Sequence, residues 1–253
     1  MKIITLNIWG GRIKDSFNHF FEQYKKTDVW MFQEVYNTDK TPEPARVTPY
    51  RPDFQLYTTI KGFLSDHQGY FVQTVLNEYG ISGFLNKDAK VIEYGEHLLA
   101  RGNWNHPGCE SDLDRDHNRK LQWFEVIVNG KICLFVNVHL THRPKGKGDS
   151  EKRLAQSKMI VDFLNLFNCP KILVGDFNLL PNTESIRAIE SAGMRNLVKE
   201  YSITSTRTDL YDEKSKWSFS DYIFVSQEIK ITEFKVLPDV ISDHSPLYLD
   251  FEL

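Results

Sequence analysis

Two periodicities of apolar residues alternate along this chain, and their order predicts its elements. Residues 2–7, Lys-Ile-Ile-Thr-Leu-Asn, read as a short strand with a polar end. Phe17, Phe20, Phe21 and Tyr24 then recur at i, i+3, i+4 and i+7, the spacing of an amphipathic helix. Residues 29–33 form an apolar strand that stops at Glu34, and residues 81–85 and 91–94 predict two more strands. Residues 121–128 and 131–138 flank Asn129-Gly130, which predicts a hairpin with a type I′ turn. A polar loop leads to a helix opened by Asp149 or Ser150 as N-cap, with Glu151 in its first turn and Ile160, Phe163, Leu164 and Phe167 as its buried stripe. After a strand at 172–174, Asn182 or Thr183 caps a helix that stops at Gly193. Strands near 222–225, 231–236 and 247–251 close the chain. A mixed order with one antiparallel hairpin argues against a purely parallel sheet. It predicts an α/β fold of two mixed sheets packed face to face, with helices outside.

Composition narrows the class without naming a function. The 253 residues are 41% hydrophobic and 26% charged, an ordinary globular balance. No linker-like stretch divides them, so residues 1–253 are expected as one domain. The net charge of −3 gives no bulk attraction to nucleic acid. Cys109, Cys133 and Cys169 are sparse and odd in number; Cys133 lies in an apolar strand and Cys169 just before another, which suits buried free thiols in a reducing compartment. The first residues are too short and polar a run for a signal peptide, and no stretch approaches a membrane span. The expectation is a cytoplasmic, monomeric protein without a membrane span.

Chemistry enters at the strand ends. Gly175-Asp176-Phe177-Asn178 follows the apolar run at 171–174, placing a carboxylate and a carboxamide at i and i+2 on one face. Asn7, Glu34, Asn137 and His139 also end strands, while Asp221 and Asp243-His244 precede them. Any one of these is ordinarily a turn or cap residue. Together they hold what metal-assisted phosphoryl transfer needs. Hard oxygen ligands suit Mg²⁺, a carboxylate can activate water, and Asn and His can stabilise charge on non-bridging oxygens.

The ordered strings Leu6-Asn7-Ile8-Trp9, Gln33-Glu34-Val35, Asn137-Val138-His139-Leu140, Gly175-Asp176-Phe177-Asn178, Ser220-Asp221-Tyr222-Ile223 and Ser242-Asp243-His244-Ser245-Pro246-Leu247 resemble the endonuclease/exonuclease/phosphatase superfamily. That group includes exonuclease III-like and deoxyribonuclease I-like enzymes, inositol polyphosphate 5-phosphatases and neutral sphingomyelinases. Thr204 to Arg207 and Tyr211 add a likeness to its compact bacterial members. The resemblance implies a four-layered α/β sandwich with the site at one end of the paired sheets. It implies Glu34 as principal Mg²⁺ ligand (Mn²⁺ substituting), with Asn7 and Asp243 nearby. Asp176 would orient or activate water and Asn178 would position that carboxylate and the phosphate. His244, held by Asp221, would contact the scissile phosphate. His139 would be a second phosphate contact or the proton donor to the leaving group.

Several features surround that set. Arg119 and Arg207 are expected phosphate contacts, and Trp9 could stack a base or sugar or simply pack. From Arg143 to Lys158 there are six Lys/Arg against two acids, including Lys147, Lys152, Arg153 and Lys158. The run reads either as a cationic rim or as a solvated face. In residues 102–118, the aspartates from Asp112 imitate a calcium loop. The glycine such a loop needs is His117, however, and its twelfth position is Trp123. His106, Cys109 and His117 are a thin zinc set, and a rim loop is the better account.

The expected function is a divalent-metal-dependent phosphoesterase acting on a phosphorylated substrate, diester or monoester, with nucleic acid among the candidates. The alternatives are a small-metabolite or lipid-headgroup phosphatase, or a non-catalytic binding module on the same fold. The hairpin tip is flanked by Val128 and Lys131 rather than an aromatic wedge, which counts against a lipid interface.

Overall fold

The computed structural model describes residues 1–39, 51–75, 78–102, 117–144, 146–213 and 216–253. The chain begins with β1 (Lys2–Asn7), α1 (Phe17–Gln23), β2 (Val29–Tyr36), α2 (Leu56–Phe63), β3 (His67–Val75) and β4 (Tyr79–Asn86). It continues through β5 (Lys90–Ala100), β6 (Arg119–Val128), β7 (Lys131–His139), α3 (Glu151–Leu164), β8 (Lys171–Asp176) and α4 (Glu184–Ser191). It closes with β9 (Arg195–Asn196), α5 (Leu197–Glu200), β10 (Asp221–Val225), β11 (Lys230–Val236) and β12 (Leu247–Glu252).

These strands make two six-stranded sheets, ordered β11-β12-β1-β2-β4-β3 and β5-β6-β7-β8-β10-β9. Each sheet has one parallel pair near its middle, β1 with β2 and β7 with β8, and every other pairing is antiparallel. The continuous apolar run of β2 follows from burial on both faces. Val29 and Met31 face the layer between the sheets, while Trp30 and Phe32 pack with Phe17, Phe20, Phe21, Leu56 and Ile60 of α1 and α2. On the other side, Ile160, Phe163 and Leu164 of α3 and Ile186 and Ile189 of α4 cover the second sheet. The four-layered α/β sandwich is therefore observed.

Beneath the end of the sandwich a buried polar stitch joins the sheets. Gln33 Nε2 donates to Asn137 Oδ1 at 2.7 Å, and Asn137 Nδ2 donates to the carbonyls of Phe32 and Ser82 at 3.3 Å. Asn137 is thus a structural residue between the layers.

Several expectations are met closely. Asn129 and Gly130 have φ of 50° and 80°, as a type I′ turn requires. Ser150 caps α3 by accepting from Arg153 N, and Thr183 caps α4 by accepting from Ile186 N. Asp149 has a different job: it accepts from Glu184 N at 2.7 Å and Ser185 N at 2.9 Å, at the start of α4. Cys133 is buried and burial pushes its thiol pKa up, whereas Cys169 is only half-buried. Cys109 and the aspartates from Asp112 lie outside the described residues. No helix among the described residues is long and apolar enough to cross a membrane.

Candidate active site

The two parallel pairs point their carboxyl ends the same way, where α/β sheets place their chemistry. Asn7 and Glu34 come from the ends of β1 and β2, and His139 and Asp176 from the ends of β7 and β8, with His139 in register with Asp176. Asp221 opens β10 directly opposite Asp176. Asp243-His244 is held beside them by the bridge between Arg207 and His244 and by Ser242 Oγ, which donates to Asn7 O at 2.6 Å.

Local backbone geometry aims these groups. A register shift between Phe32 and Val35 marks a bulge in β2, and Glu34 within it has φ of 59°. Bulges re-aim side chains in this way. Asn178 and Trp9 are also left-handed, at φ of 55° and 51°. Such non-glycine conformations cost about 1–3 kcal/mol each and cluster at functional sites. Gly175, in register with Val138, has φ of 133°, and a Cβ there would meet Val138 O at 2.0 Å. Only glycine lets the chain turn there and deliver Asp176.

The result is a cleft of about 320 Å³. It is lined by Glu34, Asp176, Asp243, Arg119, Arg207, Lys147, His139, His244, Asn178 and Trp9, with Tyr79, His117, His142 and Tyr211. Asn7 and Asp221 stand directly behind it. Asn7 Nδ2 donates to Glu34 Oε1 and to Asp176 Oδ2, both at 3.0 Å, while its Oδ1 accepts from Trp9 N. Asp176 Oδ1 accepts from Asn178 N at 2.9 Å and from Ser220 Oγ at 2.5 Å, which leaves Oδ2 facing the cleft. The Nε2 atoms of His139 and His244 lie 3.6 and 3.7 Å from that oxygen. His244 Nδ1 is 2.8–2.9 Å from both oxygens of Asp221. Arg207 Nη1 pairs with Asp243 Oδ2 at 2.8 Å, and its guanidinium stacks 4.0 Å over Tyr211. Arg119 is buried, with Nη2 3.3 Å from His142 Nδ1. Trp9 lies in cation–π range of Arg12, at 5.3 Å.

Electrostatics sorts these groups. Burial alone would raise the Asp176 carboxyl, but His244, Lys147 and Arg207 outweigh it and hold it well below the carboxylate range. Burial pushes Glu34 up against its bond from Asn7, and Asp243 and Asp176 add to the rise. Burial and Arg207 work against charge on His244, yet Asp221, Asp243 and Asp176 prevail and raise it. Burial, reinforced by Arg119, drives His139 well below its ordinary value, so it is neutral at neutral pH.

The donor chemistry fits a divalent cation of the Mg²⁺ class. Three carboxylates, of Glu34, Asp176 and Asp243, open on one cleft, and the burial and neighbouring negative charge that together raise Glu34 are what such a cation would offset. Asp176, Asp221 and His244 can also bring one ligand atom each within 4.8 Å of one another. In that group both oxygens of Asp221 already face His244 Nδ1, which reads as a carboxylate–imidazole pair.

Two residues of the supposed rim are buried instead. Lys147 Nζ donates to Asn178 Oδ1 and, at 3.2 Å, to Ser220 Oγ. Arg153 donates to the carbonyls of Thr141, His142, Pro144, Gly146 and Gly148, folding that loop onto the site. Nothing in a Gly- and Lys-rich polar run signals this. Lys158, by contrast, is exposed and pairs with Asp162. Tyr79 and His142 line the cleft without having been singled out as site residues. His117 lines it too, stacked on Tyr79 at 4.9 Å, while His106 and Cys109 lie outside the described residues.

Solved structures share this architecture over the whole chain. A mannosyl-6-phosphatase from Bacteroides thetaiotaomicron superposes with a TM-score of 0.74 at 20% identity, covering 100% of both chains. The catalytic domain of human Nocturnin with bound sulfate gives 0.69 at 18%, covering 100% of this chain and 93% of that one. A humanized TDP2 from D. rerio gives 0.66 at 15%, covering 100% and 99%. No curated protein sequence matches the chain significantly. The family model for the Endonuclease/Exonuclease/phosphatase family, however, matches residues 4–244, which spans every strand-end residue described above. The chain belongs to the Endonuclease/Exonuclease/phosphatase family.

Proposed function

We propose that this phosphoester hydrolase fold carries a divalent-metal-dependent phosphoesterase acting on a small phosphate ester. The observation that carries the reading is the meeting of carboxylates (Glu34, Asp176, Asp243) with phosphate-seeking cations (Arg119, Arg207, His244) on one cleft of about 320 Å³. Glu34, with Asp243 and Asn7, would hold Mg²⁺ or Mn²⁺. Bound there, the ion would neutralise phosphate charge and favour attack on phosphorus. Asp176 remains ionised and presents Oδ2 to orient the attacking water and take its proton. Asn178 and Arg119 contact the phosphate. His244, oriented by Asp221 and with its pKa raised, donates to a non-bridging oxygen, where charge develops in the transition state. His139 is neutral, which favours its role as an N–H contact to the phosphate over that of proton donor to the leaving group. A cleft of this size suits a phosphorylated metabolite such as a sugar phosphate. A full-length structural neighbour bears the name mannosyl-6-phosphatase, in keeping with that choice.

The test is EDTA-sensitive turnover with Mg²⁺ or Mn²⁺ by wild type and Asp176→Asn. The panel comprises sugar phosphates, mono- and bis-aryl phosphates, single-stranded, duplex and abasic DNA, RNA and phospholipids. Asparagine keeps the bonds from Ser220 and Asn178 N, loses the one from Asn7 Nδ2 and cannot take the proton, so turnover should fall by roughly 10²–10⁴-fold while the protein still folds with a lowered melting temperature. Wild-type silence across the panel together with absent metal binding would leave a binding module as the reading.

A further inference from the structure

Lys147 lines the cleft and hydrogen-bonds to Asn178 Oδ1 and Ser220 Oγ, beside the Asp176–Asn178 segment. Its position is built, not incidental. Arg153 grips Gly146 O at 2.7 Å and Gly148 O at 2.6 Å, one carbonyl on each side of Lys147, and Leu180 N donates to Lys147 O at 2.8 Å. The side chain is 6% exposed and lines the cleft.

An ammonium can only donate, and that constraint sets the polarity of everything it touches. Toward Asn178, it requires the amide oxygen to face Lys147; the amide nitrogen then donates to Leu140 O at 3.0 Å. A lysine on one side and a carbonyl on the other leave one amide orientation, with one N–H of Nδ2 still unused. Toward Ser220, the ammonium occupies a lone pair of Oγ, so the hydroxyl proton is directed to Asp176 Oδ1. With Asn178 N on the same oxygen, Oδ1 is saturated and Oδ2 is left for the cleft.

We propose that Lys147 is a positioning residue that fixes the amide orientation of Asn178 and, through Ser220, selects which oxygen of Asp176 faces the substrate. Its effect on turnover rests on the phosphoesterase reading above; its effect on Asn178 does not. Burial, with Arg207 and Arg153 adding repulsion and Asp176 and Asp221 opposing it, lowers the Lys147 pKa to about 8, so the ammonium form prevails at neutral pH.

Two variants are compared with wild type. Lys147→Met keeps the stem and loses the donors. Lys147→Ala opens a space that n-propylamine can refill. The first readout is the side-chain amide signal of Asn178 in protein labelled with ¹⁵N-asparagine, recorded at pH 7 without substrate. The second is kcat and KM on whichever panel substrate wild type cleaves. Both variants should shift the Asn178 amide pair, lower kcat about tenfold or more and leave KM within about threefold, and n-propylamine should restore part of kcat to Lys147→Ala alone. An unmoved Asn178 signal in both variants overturns the proposal, whatever happens to kcat. A raised KM with unchanged kcat also overturns it, making Lys147 a simple phosphate anchor. A moved Asn178 signal in a protein whose wild type cleaves nothing keeps the positioning role and discards the hydrolase reading. If Lys147→Met fails to fold, Lys147→Ala with and without amine carries the same comparison.

Discussion

At the scale of single residues, the candidate site places similar groups in opposite electrostatic surroundings. Two histidines approach the same oxygen of Asp176 at 3.6 and 3.7 Å, yet one has its pKa driven well down and the other has its pKa raised. The difference is Asp221, whose oxygens both reach His244 Nδ1, whereas His139 has the Arg119 guanidinium as its strongest charged neighbour. The raised pKa lets His244 keep its proton to higher pH than a free imidazole would. Asp221→Asn removes the largest opposing charge, so the His244 pKa falls and the alkaline limb of the kcat profile should move to lower pH, by on the order of one unit or more. Mg²⁺ titration of the same variant should be nearly unchanged; a large loss of metal affinity with an unmoved limb would make Asp221 a ligand. Glu34, Asp176, Asn178, His139 and His244 were legible in the sequence because each is a polar residue at an apolar strand's end. Lys147 and Arg153 were not. Their burial comes from a loop folding back on α3, a non-local event, and lysine in a glycine-rich run is ordinarily solvated.

At the scale of elements, the helix that follows Asp176 adds to its own Thr183 cap a carboxylate from far away in sequence. Asp149 sits just before α3 but accepts from Glu184 N, Ser185 N and Ser185 Oγ at the start of α4, tying the two helices together. These bonds lower its pKa despite the opposing cost of burial, the sign that folding favours the carboxylate. Asp149→Ala should cost about 1 kcal/mol, in the range of a lost N-cap. For a chain of this size that lowers the melting temperature by roughly 2–4 °C. The depressed pKa puts this contribution above the unfolded value and removes it as pH falls through the folded one, so the gap between wild type and variant should close in acid. A gap that stays constant down to pH 3 would mean that the carboxylate does not stabilise the start of the helix. Elements with a buried face on both sides, such as β2, β7 and β8, were readable as apolar runs. The edge strand β5 was read only at 91–94 of its Lys90–Ala100 span, because most of its side chains are exposed and leave no alternation. The strand β3, with Gly69 and Gln68 near its start, and the two-residue β9 gave even less.

At the scale of the whole molecule, one architectural fact explains the site. Two sheets, each with a parallel pair near its middle, pack so that both pairs end at the same edge, and four unlike side chains meet there from β1, β2, β7 and β8. The cost is a buried cluster of like charges. Burial, Asp243 and Asp176 all push the Glu34 carboxyl upward, so the ion-free fold disfavours its charged form. A cation bound at Glu34 should therefore act as a stability ligand of the fold. At a concentration about 100 times its Kd, it would contribute about 2.7 kcal/mol. That corresponds to a rise of roughly 5–10 °C in melting temperature, read by calorimetry with and without EDTA. Glu34→Gln should divide the effect in two. The neutral amide relieves the repulsion, so the ion-free variant should melt no lower than ion-free wild type, and most of the Mg²⁺-dependent rise should disappear. If the variant keeps the full rise, the cation is held elsewhere, with the Asp176–Asp221–His244 group the next place to look. If both proteins respond to neither Mg²⁺ nor Mn²⁺, the carboxylate cluster serves some other purpose and the metal-dependent reading falls.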